Sequence, residues 1–197
     1  MEWVSTLALA MGASWVSGMR LYVVVATLGL LQRFELAKLP GELAILSNEW
    51  VIGVATVLFV CEFLADKIAI FDTAWDAVHT FVRIPAAAVL ASMAFADYPM
   101  HIKVIAFLIG GGTALASHGT KAAARVAVNH SPEPFSNVAV SFVEDALAGL
   151  SLAAALLLPV VGICIVLAGL ALAVIFFGKI SKAVQGYFGR KPNPQYS

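Results

Sequence analysis

Residues Ala146–Gly178 read ALAGLSLAAALLLPVVGICIVLAGLALAVIFFG, 33 positions without a charge. As one helix this run would reach about 50 Å, far more than the roughly 30 Å hydrocarbon core of a bilayer, and Pro159 with Gly162 offers a turn inside it. Two spans follow, 137–158 and 160–178, joined at Pro159. Working outward, a second apolar run extends from Trp3 to Gln32, broken only by Arg20. Met1-Glu2 lacks the basic start of a cleaved signal and the run is too long for one, so 3–32 is read as a span of the mature chain. Segments 50–66, 74–96 and 102–121 bring the total to about six transmembrane or re-entrant helices. Segments 50–66 and 102–121 are the re-entrant candidates, because Glu62 interrupts the first and Lys103 and Gly110-Gly111-Gly112 interrupt the second.

Composition agrees. The 197 residues are 61% hydrophobic and 12% charged, about half the charge of a soluble domain, with a mean hydropathy of +0.91. The fold class expected is therefore all-α, a polytopic helical membrane protein, with residues 1–178 as one transmembrane domain. Residues 179–197 are expected to be a cytoplasmic interfacial helix and loose tail, the lysines Lys179 and Lys182 reaching for the interface. Twelve basic residues balance twelve acidic ones with no block of like charge, which excludes a nucleic-acid footprint. Cys61 and Cys164 lie in apolar runs and read as small core residues. Leaving out Arg20 and Arg83, six crossings put Lys67, Lys121, Arg125, Lys179, Lys182, Arg190 and Lys191 on one side and Arg33, Lys38 and Lys103 on the other. That bias predicts both termini in the cytoplasm of a multi-pass inner-membrane protein.

The informative residues are ionisable groups inside apolar sequence: Arg20, Glu62, Asp76, Arg83, Glu144 and Asp145, with His79 among them. Each costs roughly 2.5–3.5 kcal/mol at a helix centre, so six unpaired groups would cost on the order of 15–20 kcal/mol. They must pair, reach the interface or line water. Asp76, His79 and Arg83 fall at i, i+3 and i+7 on one helical face, and Asn137, Ser141 and Glu144 or Asp145 do the same. Charge matching predicts Arg83 facing Glu144 or Asp145, and Arg20 facing Glu62. Two readings stay open: structural ion pairs between small helices, or a polar pathway, because both stripes sit beside broken backbone.

At the first break a helix ends near Asp66-Lys67 and Asp72 is expected to cap the next one. At the second, the loop after Lys121 holds His130-Ser131-Pro132-Glu133-Pro134, with Ser131 or Ser136 as the cap. Helix N-termini at such breaks attract anions. Asp66-Lys67 and Thr120-Lys121 occupy similar places in the two halves, which suggests a two-fold internal repeat. His101, His118 and His130 lack the spacing of a helical metal site and read as interfacial, so no metal is expected. The triple glycine lacks the basic residue of a phosphate loop and reads as a helix crossing or kink. Trp3, Trp50 and Trp75 suit an aromatic belt, whereas Trp15 sits mid-span as a candidate cavity wall. No nucleophile elbow or metalloprotease motif appears, so neither catalysis nor a cofactor is expected.

The motifs Ser17-Gly18-Met19-Arg20-Leu21-Tyr22, Glu62-Phe-Leu-Ala-Asp66-Lys67, Trp75-Asp76-Ala-Val-His79-Thr80-Phe-Val-Arg83-Ile-Pro85, Ser117-His118-Gly119-Thr120-Lys121 and Ser131-Pro132-Glu133-Pro134-Phe135-Ser136-Asn137 with Glu144-Asp145 carry a resemblance. Taken together, they make the chain resemble the bacterial membrane family catalogued as domain of unknown function 4126, over nearly its whole length to about Gly178. The resemblance implies a bacterial inner-membrane protein and assigns no role to any residue. Phe81-Val-Arg83-Ile-Pro85-Ala is also similar to the Arg-x-x-x-Pro-Ala-Gly stretch of DedA-type proteins, which use re-entrant helices, but Arg83 stands two residues before Pro85 instead of four.

The function expected is a small transporter or translocation protein for an anionic solute or a phosphate-bearing headgroup, with proton coupling through Glu144, Asp145 or His79. Its pathway residues would be Arg20, Glu62, Asp66, Asp76, His79, Arg83, Asn137, Ser141, Glu144 and Asp145. A structural membrane protein without a permeant, or a cation channel, is the alternative. The partners expected are membrane lipids and a small solute or ion, with a second copy of the chain as a further candidate.

Overall fold

In the computed structural model, residues 2–129 and 134–188 are described, and all their regular structure is helical. The helices are α1 (Glu2–Arg33), α2 (Glu49–Ala65), α3 (Ala69–Ala94), α4 (Met100–Asn129), α5 (Pro134–Leu157) and α6 (Pro159–Phe188), with a short 3-10 helix at Gly41–Ser47 before α2. Their outward faces are apolar, with Val57, Phe81, Leu108, Leu150 and Val174 exposed, as lipid requires. Five helices are long and apolar enough to cross a membrane, namely α1 and α3 to α6. The chain is thus a multi-pass, all-α membrane protein, as its sequence predicts.

The main departure is in α1. Arg20 leaves the helical region at φ −145° and ψ 69°, so the helix has two arms, 2–19 and 21–33. A straight helix of 32 residues would be about 48 Å long, yet both ends of α1 meet the same end of α3. Trp3 packs edge-on against Phe95 at 6.0 Å, and Gly41 (φ +58°) lies flush against the carbonyls of Met93 and Ala94. The chain between Arg33 and Gly41 does not travel far, because the Leu36 and Ala37 N–H groups bond back to Leu31 O, and Leu39 N–H to Gln32 Oε1. One cavity is lined by Glu2, Ser5 and Leu9 together with Lys38, Leu39 and Gly41. The arms therefore fold back on each other, and α1 is a re-entrant hairpin with Arg20 at its tip.

This adds a re-entrant segment to the two expected and removes one of them. Segment 102–121 is the interior of a continuous 30-residue helix, whereas α2 is bent by 74° from the 3-10 helix before it, a broken span or a re-entrant loop. With α1 folded back, the remaining five helices alternate in direction. The start of α1 and the end of α6 then lie at opposite ends of the bundle, whereas six crossings would have put both termini on one side. We call the end holding Trp3, Gly41 and Phe95 the upper end.

The hairpin can sit at the centre because its first arm is made of small residues. Ala8, Ala10, Gly12, Ala13, Ser14, Ser17 and Gly18 are buried there. Gly12 lies against Ala155 of α5, and Gly18 against Ser117 and Ala114 of α4, so close that a Cβ at either glycine would collide. Gly110 closes in the same way on Ala91, which makes the triple glycine a helix crossing and not a kink. Above the tip, Leu28, Leu43, Leu46 and Leu90 form an apolar core.

Smaller expectations change too. Pro159 does divide the long apolar run, α5 ending at Leu157 and α6 starting at Pro159. α6 continues past Lys179 without a break to Phe188; Arg190 and the tail from Lys191 lie outside the described residues, as do His130 and Ser131. Asp72 is inside the first turn of α3 and Ile68 is its cap, while Ser136 lies within α5. Lys121 is inside α4, so Asp66-Lys67 is a turn and Thr120-Lys121 a helix interior, and the two halves are not equivalent there. Pro85 sits within continuous α3, unlike a re-entrant break. Cys61 and Cys164 are exposed rather than core residues. Trp15 packs on Gly169 of α6 instead of lining a cavity.

Candidate functional site

The tip of α1 enters a layer of charge made by five helices. A helix break in the membrane interior leaves carbonyls at the end of one arm and N–H groups at the start of the other, and such backbone needs protein partners. Arg20 stands at that break and reaches out to other helices. Its Nη1 pairs with Asp66 Oδ2, its Nε lies 2.8 Å from Asp145 Oδ1, and its Nη2 reaches Glu144 Oε2 at 3.7 Å and Ser141 Oγ at 3.4 Å. The residue is completely buried.

Arg83 forms the second centre. On α3 it stands two turns after Asp76, whose Oδ1 accepts from Nη1 at 2.6 Å, and its Nη2 donates to Glu62 Oε1 on α2. Lys121 of α4 joins the two centres by donating to Asp66 Oδ2 and to Asp76 Oδ1, both at 3.1 Å. One turn lower, Arg125 grips Glu144 with two bonds, Nε to Oε1 at 3.0 Å and Nη2 to Oε2 at 2.6 Å. Its Nη1 donates to Asn137 Oδ1 at 2.5 Å and to the Asp66 carbonyl at 3.2 Å, and lies 3.8 Å from Asp72 Oδ2. Asn137 Nδ2 also donates to the Asp66 carbonyl. The turn between α2 and α3 is therefore tied to α4 and α5.

The predicted pairings are exchanged in the structure. Arg83 meets Glu62 and Asp76 instead of Glu144 or Asp145, and Arg20 meets Asp66, Glu144 and Asp145 instead of Glu62. The hairpin explains the exchange, since folding back brings Arg20 beside α5. Of the ten residues expected, nine join this layer: Arg20, Glu62, Asp66, Asp76, Arg83, Asn137, Ser141, Glu144 and Asp145. His79 does not. It is buried on the same face of α3, stacked on Trp75 at 4.0 Å with Tyr22 edge-on at 5.7 Å, and its Nδ1 faces the Trp75 carbonyl.

Sequence reasoning missed Lys121, Arg125, His118, Asp72 and Lys67. The first two were counted as loop charges because the proline-rich segment suggested an early end to the fourth span. A signal was present: His118, Lys121 and Arg125 stand at i, i+3 and i+7, the spacing of Asp76, His79 and Arg83.

Counted among the described residues, the layer holds six carboxylates (Glu62, Asp66, Asp72, Asp76, Glu144, Asp145) and five bases (Arg20, Lys67, Arg83, Lys121, Arg125). Glu62 Oε2, Asp66 Oδ1 and Asp76 Oδ2 are buried and accept no hydrogen bond. Asp66, Asp72 and Asp76 bring ligand atoms within 4.8 Å of one another, a geometry that could hold a cation in competition with Lys121 and Arg125. None of the four cavities described is lined by a charged member of the layer.

The layer comes nearest to the outside at Asp145 and Lys67, whose side chains are 23% and 19% exposed. Their ion pair is the loosest, at 4.0 Å. Lys67 lies in the turn outside the spans, over the ring of Phe63 at 3.2 Å, and burial draws its ammonium below the usual lysine range while Asp145 pulls it back.

No curated protein and no solved structure matches the chain. The family model for the domain of unknown function DUF4126 matches residues 7–179, which include most of the hairpin, α2 to α5, the first two thirds of α6 and every charged residue of the layer. The chain belongs to the DUF4126 family.

Proposed function

We propose that this protein is a small transporter of the bacterial inner membrane that moves protons, alone or with a solute, through the buried charge layer around Arg20. One observation carries the reading: among the described residues, six carboxylates face five bases in a layer that is buried except at its Lys67 and Asp145 rim. An uncompensated carboxylate is costly in a low-dielectric interior, so it takes up a proton or a cation. Structural ion pairs have no need of an odd charge. The re-entrant hairpin adds support, since discontinuous helices in membrane carriers commonly bring helix ends to an ion site. An anionic solute has less support than before, because each of the five bases has a carboxylate partner. Lys67 and Asp145 would form the access point. Lys179 and Lys182 favour a cytoplasmic lower end, with the start of α1 on the opposite face.

A structural reading rests on the sealed state of the layer, which borders none of the described cavities. Purified protein in liposomes holding a pH-sensitive dye separates the two under an imposed membrane potential. Potential-driven acidification above that of empty liposomes, lost in Asp145→Asn at unchanged yield, is the expected result. Proton movement no faster than in empty liposomes would leave the structural reading in its place.

A further inference from the structure

His118 occupies the corner where the hairpin, α3 and α4 meet. It is 4% exposed. Its Nε2 lies 2.7 Å from Thr80 Oγ1. Its Nδ1 has two neighbours of opposite kind: the Gly18 carbonyl at 3.1 Å, which can only accept a hydrogen bond, and Arg83 Nη1 at 3.3 Å, which can only donate one. The carbonyl of Gly18 is available because the break at Arg20 interrupts the helical bonding that would otherwise use it.

We infer that His118 is a proton-binding switch that ties α4 either to the hairpin or to Arg83. The inference deepens the proton-transport reading above and rests on it for its purpose, though not for its chemistry. With hydrogen on Nδ1, the ring donates to Gly18 O and its Nε2 accepts from the Thr80 hydroxyl. With hydrogen on Nε2, the ring donates to Thr80 Oγ1, the Thr80 hydroxyl turns to the Asp76 carbonyl 2.8 Å away, and Nδ1 accepts from Arg83. The ring N–H and the Thr80 hydroxyl each have an acceptor in both forms, and Arg83 Nη1 keeps Asp76 Oδ1 in both. A proton from water added to Nδ1 of the second form gives the imidazolium, which holds Gly18 and repels Arg83. Release of the Nε2 proton to water completes the change to the first form: one proton is taken up, one is released, the Thr80 hydroxyl turns back from the Asp76 carbonyl to Nε2, and no other covalent bond is altered.

The surroundings make the ring responsive to the charge layer. Arg83 and Asp76 face it from α3, Lys121 from one turn further along α4, and Glu62 of α2 lies behind Arg83. The first arm of α1 contributes the Gly18 carbonyl and, two residues on, Arg20. α5 reaches this corner through the charge of Glu144 on Lys121, and α6 packs uncharged Phe177 on Gly119. A sixth positive charge on His118 would balance the six carboxylates.

Nitrogen-15 spectroscopy of histidine-labelled protein in lipid bilayers tests the switch, with the His118 signals identified by their loss in His118→Gln. Across a pH series, Nδ1 of His118 is expected to change between protonated and unprotonated forms. Thr80→Val removes the acceptor for Nε2–H and should hold hydrogen on Nδ1 throughout. A single unchanging form in the wild type would overturn the inference, as would titration in the wild type with no shift in Thr80→Val. Switching without proton flux would defeat the transport reading alone, and flux with a fixed ring would defeat this one alone.

Discussion

Arg83 and Arg20 are both fully buried guanidinium groups clasped by carboxylates, and they differ in what holds those carboxylates. Arg83 stands in an unbroken helix, and the side chains of its partners Glu62 and Asp76 are sealed or nearly so. Arg20 stands at the break of a re-entrant hairpin, and of its partners only Asp66 is sealed, while Asp145 reaches the rim. The same pair chemistry thus gives an anchor in one place and an adjustable contact in the other. A buried pair resists change when the backbone on both sides is continuous. It becomes movable when one side is a helix end and the other borders solvent.

The comparison is broken most severely at the anchor. Arg83→Ala leaves Glu62 without its base and Asp76 with Lys121 alone inside the bundle, and a loss of about 3–5 kcal/mol is expected, read as a collapse of folded yield and of Tm in detergent. If that variant were as stable as wild type, the anchor would not exist. Gly18→Ala comes next, because its methyl group would collide with Ser117 and the Ala114 carbonyl; overpacking of this kind costs about 1–3 kcal/mol and should also push the tip away from α4. A cysteine cross-link between the tip and α4, formed in the wild-type background and lost on adding Gly18→Ala, would measure that shift.

At the adjustable contact the expected stability effects are smaller. Asp145→Asn leaves the buried Arg20 with Asp66 and Glu144 and should cost clearly less stability than Arg83→Ala, while proton flux falls at least tenfold. A large fall in Tm would make Asp145 an anchor like Asp76 and erase the distinction. The smallest effect concerns pH. Burial lowers the pKa of Lys67 in the folded protein, so the folded state binds fewer protons than the unfolded state between that lowered value and the ordinary lysine range. Stability should therefore rise as pH climbs through that window, and the rise should be absent in Lys67→Gln. Melting curves of the two proteins at matched alkaline pH would show it.

Much of the candidate site was legible because intramembrane charge is costly and has few explanations. Arg20, Glu62, Asp66, Asp76, Arg83, Glu144 and Asp145 stand out against apolar sequence, and helical spacing put Asp76 with Arg83 and Asn137 with Glu144 on common faces. The pairing was not legible, since charge matching cannot tell which acid faces which base without the topology. That topology turns on Arg20, where nothing but a single charge in a long apolar run marks the fold-back. Lys121 and Arg125 were hidden for another reason. The alanine-rich stretch between them is good helix-forming sequence, yet the prolines beyond Asn129 drew the expected helix end eight residues too early. Loop charge and network charge look alike in composition, and only the spacing of His118, Lys121 and Arg125 separates them.

The central claim is that the layer, counted among the described residues, has one carboxylate more than it has bases and holds a proton to balance it. Infrared difference spectroscopy of the carboxyl stretch in bilayers measures this most directly. At about pH 8, where an ordinary histidine is neutral, the account predicts one buried protonated carboxyl per chain, lost or shifted in Glu62→Gln or Asp66→Asn, whose Oε2 and Oδ1 accept no hydrogen bond among the described residues. A folded wild-type protein with all its carboxyl groups ionised at that pH would contradict it.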